Sequence, residues 1–403
     1  MKNFISVNSS SFYSIQLVSL YGRIEMHDSY FEQTDSFNNL IINFIYVQEM
    51  VMDNVTINNN DIANTDPVGF FHFLLFDNGI IQASNISIMN SNIGVKPIIQ
   101  FEVVGAASMT LEDVFVQNVT LGIDTKIVKT QSLKSFNMKN STFIEVKPQV
   151  SGDTTPKMIE LSSHILTDQL NNTIIDTYIE QSVIGFMELS GISSNESLTS
   201  SFTVSNFAYQ NSYLDFSQDL LSFIGIETTN NFWIELTDIY MNNITFSRTG
   251  RLLVLEHQTD MMLSISNGYF SDLEGASISI KSSNLNIDMK TKVNMKNITA
   301  TSLSGASNSF ISIDEGGELY LYDSNFTQIE NTERGAVLNA GYQNSYTEVH
   351  NTTFENNLSI YGGVANVQDG SAIKFYDSNI TYNYAIQSGV IQASNDGYFE
   401  FYR

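Results

Sequence analysis

The sequence predicts an all-β fold, a parallel β-solenoid, from three observations. A phrase of alternating apolar residues recurs along the chain, each phrase is broken by a short asparagine-containing step, and helical spacing is hard to find. Two alternating apolar positions, a two-residue break and apolar positions resuming in the other parity occur at residues 114–121, 239–246 and 293–299. Residues 319–327 and 373–381 share a three-residue break. Asparagines read as equivalent, Asn243, Asn267, Asn297, Asn325, Asn351 and Asn379, recur every 24 to 30 residues. Alternation with period two means a strand with one face buried. The change of parity means a corner after which the next strand faces the same interior.

Taken along the chain, residues 1–235 read as less regular coils, with phrases at His27-Asp28-Ser29-Tyr30, Asn54, Asn85, Asn118 and Asn140. All four prolines, Pro67, Pro97, Pro148 and Pro156, fall there and mark loops or edges, because proline leaves a strand ladder. Residues 146–157 are the best single loop and 190–201 the next. Residues 236–403 read as regular coils, with Val337, Val364, Val390, Ile373, Phe375 and Ile380 facing inward. At about 27 residues per coil and ~4.8 Å between paired strands, the expectation is about 15 coils in one elongated domain, about 70 Å long. Both ends start and stop inside the pattern, which suggests a segment of a longer chain, or ends that dock on further coils or on copies of itself.

Apolar residues make up 42% and charged residues 15% of the 403, enough for a core and too little charge for a disordered tail. The net charge of −25 repels phosphate backbones and removes the counterion-release term, so a nucleic-acid partner is excluded. No apolar run approaches the ~18 to 20 residues that cross a bilayer as a helix. Cysteine is absent, which excludes disulfides, thiolate metal sites and thiol nucleophiles.

Glycine before an apolar strand, as in Gly335-Ala336-Val337, Gly362-Gly363-Val364 and Gly389-Val390-Ile391, accompanies an aromatic-x-x-Asn at Phe115/Asn118, Tyr240/Asn243 and Phe354/Asn357. These residues resemble the repeats of chlamydial polymorphic outer-membrane proteins and of very large surface proteins of ciliates and other protists. The resemblance implies a right-handed parallel β-helix of the pectin-lyase kind and a surface location. A full Gly-Gly-Ala-Ile does not occur, and most coils lack the aromatic-x-x-Asn.

Thirteen Asn-x-Ser/Thr acceptor sequences occur, against about 8 by chance from 43 Asn and 79 Ser plus Thr. In eight of them the middle residue is Val, Ile, Leu or Phe, which turns Asn and Ser/Thr outward while the middle side chain packs inside. Asn54, Asn85, Asn118, Asn140, Asn243, Asn297, Asn325, Asn351, Asn357 and Asn379 are the candidate glycan-bearing residues, with N-linked glycans as the implied partners; Asn8, Asn171 and Asn195 complete the set. The alternative for the same residues is an asparagine ladder satisfying backbone groups at coil corners.

Signals for catalysis are weak. Asn64-Thr65-Asp66 matches a short polygalacturonase motif, but there is no Asp-Asp pair, no Gly-His-Gly and no Arg-Ile-Lys. The five arginines and the five histidines (His27, His72, His164, His257, His350) are scattered, with no two-His metal spacing, and each histidine reads as a surface or turn residue. Gly316-Gly317 and Gly362-Gly363 lack the continuation of calcium-binding nonapeptides. The reading is an extracellular structural or adhesive glycoprotein of a coat, fibre or appendage, without catalytic role, metal or cofactor. A pectinase-like carbohydrate-active enzyme and a secreted bacterial adhesin passenger are the alternatives. Phe and Tyr read mainly as core and cross-coil packing, with a sugar-stacking face as the second possibility.

Overall fold

A computed structural model describes residues 5–7, 14–18, 22–32, 41–59, 61–62, 71–93, 98–122, 125–149, 157–162, 171–183, 185–190, 193–194, 200–214, 219–228, 232–257, 261–282, 291–306, 309–341 and 345–403. Every regular element among them is a β-strand, and the strand pairs are parallel. The chain is a parallel β-solenoid, as its alternation predicts. It divides into two compact units, Met1–Asn195 and Glu196–Arg403.

In the first unit one ladder runs from Arg23–Glu32 through Ile41–Asn58, Phe71–Ile93, Ile99–Leu121 and Val128–Pro148 to Asn171–Glu180. Its register stacks Ile24, Met50, Ile81, Met109 and Phe136 in one inward column, and Met26, Met52, Ala83, Leu111, Met138 and Ile174 in the next. In the second unit Ser200–Leu214, Phe232–His257, Met261–Ser282 and Lys292–Ala306 lead to Glu318–Tyr322, Tyr346–His350, Ala372–Tyr376 and Tyr398–Tyr402. Here Leu236, Ile265, Met295, Leu321, Val349, Phe375 and Phe401 form one column. A second ladder joins 251–257, 276–282, Ile311–Asp314, Leu338–Gly341, Ala365–Gln368 and Ile391–Ser394. Each buried large side chain in these columns contributes roughly 1.5–3 kcal/mol relative to exposure.

The corners explain the parity switch. At the first corner of each coil a single residue adopts the left-handed conformation. In the first unit these are Asp28, Asn54, Asn85, Asp113, Asn140 and Asp176; in the second they are Asn206, Asp238, Asn267, Asn297, Asp323, Asn351 and Asp377, with φ of 46–56° throughout. Left-handed φ costs an ordinary L-residue roughly 1–2 kcal/mol and is best tolerated by Asn and Asp among residues with a side chain. The second corner repeats the conformation at Asn59, Asn90, Asn118, Glu145 and Gln181, and at Asn211, Asn243, Asp272, Ser302, Gln328, Asn356 and Tyr382. A serine or threonine commonly follows and points inward. Ser29, Ser324, Ser378 and Thr352 donate to the carbonyl two residues back, at 3.1, 2.6, 2.9 and 2.9 Å, closing the corner locally, while the His350 and Tyr376 carbonyls also accept the Asp323 and Asn351 amides of the adjacent coil at 3.1 and 3.0 Å.

Three sequence readings are refined by this register. The asparagines read as equivalent are not: Asn267, Asn297 and Asn351 occupy first corners and Asn243 a second corner. Asn325 and Asn379 begin the strands two residues beyond Asp323 and Asp377. Of the inward positions, Val337, Val364, Ile373 and Phe375 are buried, whereas Val390 and Ile380 are half-buried in the last described coil. Pro148 closes its strand. Pro67, Pro97 and Pro156, most of 146–157 beyond residue 149 and most of 190–201 lie outside the described residues.

Candidate functional site

The outer surface carries three features with chemical potential, beginning with the corner columns. Asn54 donates to Asp28 at 2.8 Å, Asn85 to Asp53 at 2.8 Å and Asn118 to Asn90 at 2.9 Å, and Asn140 donates to Asp113. Asn243 donates to Asn211, Asn297 to Asn267 and Asn351 to Asp323 at 2.9, 2.8 and 2.9 Å. All seven are exposed, and each bond joins one coil to its neighbour. The hydrogen bond from Asn85, then that from Ser84, holds the Asp53 carboxyl below its usual range. Asn325 and Asn379 are also exposed. The residues between Asn and Ser/Thr do pack inward: Val55, Ile86, Val119, Ile244, Ile298 and Phe326 are buried.

Asn357 is the exception and corrects the reading of it as an acceptor. Its side chain is 1% exposed. The amide nitrogen donates to the Phe326 carbonyl at 3.1 Å and to Asn383 at 2.9 Å, while the oxygen accepts from the Ile329 amide at 3.0 Å. A glycan has no room there. Phe354-x-x-Asn357 therefore differs from its apparent equivalents: Phe354 is buried, whereas Tyr240 and Phe115 face outward and Asn243 and Asn118 sit at corners. Asn8 and Asn195 lie outside the described residues, as do Asn64-Thr65-Asp66 and His164.

The second feature is an aromatic face on strands Glu318–Tyr322, Tyr346–His350, Ala372–Tyr376 and Tyr398–Tyr402. Tyr322, His350, Tyr376 and Tyr402 stack in one outward column, with centroids 5.0, 4.5 and 4.6 Å apart and interplanar angles of 16°, 5° and 9°. His350 thus sits within a strand, not in a turn. Beside this column Glu348 accepts from Tyr346 and contacts His350 Nε2 at 3.2 Å, and Glu400 accepts from Tyr402 at 2.5 Å and pairs with Lys374 at 3.4 Å. Burial, then the charge of Glu318, pushes the Tyr320 phenol up to about 12. Burial alone would raise Glu348, but the bonds from Tyr346 and His350 and the nearby cations outweigh it and lower its pKa. Stacking at 4.5–5.0 Å occupies the faces of His350 and Tyr376 with their neighbours, so a sugar ring has no free face on which to lie there. Regular alternation at 320/322, 346/348/350, 374/376 and 400/402 is the signal from which this column could have been read.

The third feature is a polar cleft of about 330 Å³ in the second unit, lined by Arg251, Ser277, Ser279, Ser309, Ser312, Asp314, Glu333, Arg334, Asn339 and Gln368. Arg251 is held by Asp219 at 2.8 and 3.1 Å, and Arg334 donates from Nη1 to Gln368 at 2.8 Å. Burial pushes the Asp314 carboxyl up to about 6, against a lowering bond from Ser312. These residues come from several coils, so no local motif announces them. Among the described residues no group of three or more His, Asp or Glu is placed to hold a metal ion, and no helix is long and apolar enough to cross a membrane.

No protein-family model matches the chain, and no curated protein matches it. Among solved structures it is similar to the A-module of the mannuronan C-5 epimerase AlgE6 of Azotobacter vinelandii, at 10% identity and a TM-score of 0.28, over 95% of this chain and 91% of that one. The matching protein is an epimerase, so the expectation that the chain has no catalytic role finds no support in this comparison. A likeness this low assigns no reaction to this chain.

Proposed function

We propose that this chain is the β-solenoid scaffold of an extracellular coat, fibre or appendage, structural or adhesive in use and carrying N-linked glycans on its corners. One observation carries the reading: acceptor asparagines Asn54, Asn85, Asn118, Asn140, Asn243, Asn297 and Asn351 are exposed at coil corners, with their middle residues or backbone anchored in the fold. A glycan on Nδ2 leaves one amide hydrogen for the bond to the next coil, so modification and the corner column are compatible. Asn325 and Asn379 complete the proposed set, and Asn357 leaves it. The resemblance to polymorphic outer-membrane and protist surface repeats supports the same reading.

Intact-glycopeptide mass spectrometry of the protein from its natural source tests this. Occupancy is expected at Asn243, Asn297, Asn325 and Asn379 and not at Asn357. Unmodified asparagine at all of these positions would remove the glycans and favour an unglycosylated adhesin passenger.

A further inference from the structure

We propose that the polar cleft on the second ladder of the second unit is a binding site for a neutral saccharide. The proposal stands independently of the glycoprotein reading, because it concerns a different face and a ligand the protein would bind, not carry.

The site is built around an interruption in a side-chain column. Along the ladder, Lys281, Asp314 and Gly341 are in register, with Gln368 following. Gly341 has ordinary backbone φ, so its lack of a side chain is not required by conformation. A Cβ at Gly341 would lie 2.9 Å from Asp314 Oδ1, 3.1 Å from Gln368 Nε2 and 3.2 Å from Asn339 Nδ2. Three polar atoms from three successive coils thus surround the slot that the glycine leaves open. Gln368 is 6% exposed and fixed by Arg334, while Asn339 is fixed by its donation to Ser312 at 3.2 Å and by the amide of Asn366 at 2.7 Å. The walls are therefore preorganised.

One atom in the slot lacks what the others have. Asp314 Oδ1 is buried without a hydrogen-bond partner among the described residues, while Oδ2 accepts from Ser312 at 3.2 Å. A buried acceptor left unmade costs roughly 1–3 kcal/mol, so this oxygen calls for a donor. The group that fits must donate to Asp314 and accept from the amides. A hydroxyl does both. A cation meets Arg251, Arg334 and the amide N–H groups, and an anion meets Asp314, Glu333 and a net charge of −25. The remaining wall offers four serine hydroxyls and two arginines, the mixed donor and acceptor lining that an array of vicinal hydroxyls satisfies. A volume of about 330 Å³ lies at the low end of small-molecule sites and suits one or two sugar rings.

The test uses the full chain with a panel of glucose, galactose, mannose, N-acetylglucosamine and their disaccharides, and with glucuronate and galacturonate, read by saturation-transfer NMR and calorimetry. Saturable binding of at least one neutral sugar is expected, weakened about tenfold or more by Gly341→Ala, which fills the slot, and by Arg334→Gln at the rim. Far-UV circular dichroism checks that both variants keep the strand fold; if Gly341→Ala does not, Arg334→Gln decides. Binding of none of the neutral sugars, binding of the uronates alone, or unchanged affinity in the folded variants overturns the proposal.

Discussion

Two of the corners in the described coils share the same left-handed φ, yet they use different residues. Among the described residues of both units the first holds only Asn and Asp. The second also accepts Glu145, Gln181, Ser302, Gln328 and Tyr382. Since φ is alike, φ alone does not choose the residue. At the first corner the side chains tie successive coils together: Asn267 donates to Asp238 at 2.9 Å and accepts from Asn297 at 2.8 Å. At the second corner such bonds hold where Asn meets Asn, as from Asn243 to Asn211, and fade to 3.4 Å between Ser302 and Gln328. There the tie passes to the next residue inward, where Asn357 and Asn383 bond to backbone inside the coil. A corner needs a residue that tolerates its φ, and its chemistry is restricted where the same side chain also joins the coils.

The largest effect expected from this difference is at Asn357. Replacing Asn357 by Ala strands the Ile329 amide and the Phe326 carbonyl inside the coil, for a loss of about 3 kcal/mol. Removing the corner side chain itself in Tyr382→Ala, 80% exposed, should change stability by less than about 0.5 kcal/mol. Denaturant midpoints of the full chain measure both, and similar losses would break the distinction between corner and tie. At the first corner the two roles coincide, so Asn267→Val should cost about 2–3 kcal/mol through strained φ and lost bonds, and Asn267→Gly about 1 kcal/mol through the bonds alone. Equal costs for Val and Gly would show that φ is not a constraint there.

How much of this was legible follows from the range of each interaction. Period-two alternation is local, so strands, inward columns and the change of parity could be read from one coil at a time. Register between coils is not local. Asn325, Asn357 and Asn297 all sit in Asn-x-Ser/Thr, yet one begins a strand, one is buried and one turns a corner. The difference lies in where the triplet begins relative to the left-handed residue: on it at Asn297, one residue beyond it at Asn357 and two beyond it at Asn325. The polar cleft was invisible for the same reason: Asp314, Asn339 and Gln368 lie 25 to 54 residues apart and meet only through stacking.

The cleft also supplies a contrast in pH. Surface carboxylates such as Asp53 are stabilised as anions by corner bonds, whereas burial raises Asp314 to about 6 from 3.8. The folded state therefore holds the Asp314 proton more tightly than the unfolded chain. Its contribution is present below pH ~4 and is lost as pH rises through ~6, by no more than roughly 2 kcal/mol once solvent screening is allowed for. Ser312, Glu315, Lys281, Glu333, Arg334 and Arg251 face or flank this carboxyl and are unchanged in Asp314→Asn. The difference in stability between the wild type and that variant should accordingly change between pH 4 and 6. A constant difference would mean that Asp314 titrates as an ordinary surface carboxylate.

The smallest effect sharpens the comparison from the other side. Gln328 has the corner φ of 56° but a side chain one methylene too long to repeat the Asn-to-Asn bond, and it accepts from Ser302 only at 3.4 Å. Gln328→Asn places the shorter amide between Ser302 and Asn356, which are in register with it. It creates no Asn-x-Ser/Thr, because Ile329 and Glu330 follow. If the inter-coil bond is what restricts the first corner, importing it here should stabilise the protein by about 0.5 kcal/mol, the usual net value of an exposed hydrogen bond plus a better left-handed residue. The shift is small but signed: a gain in the denaturant midpoint supports the tie as the selective element. A loss would mean that the second corner is built for long side chains in its own right.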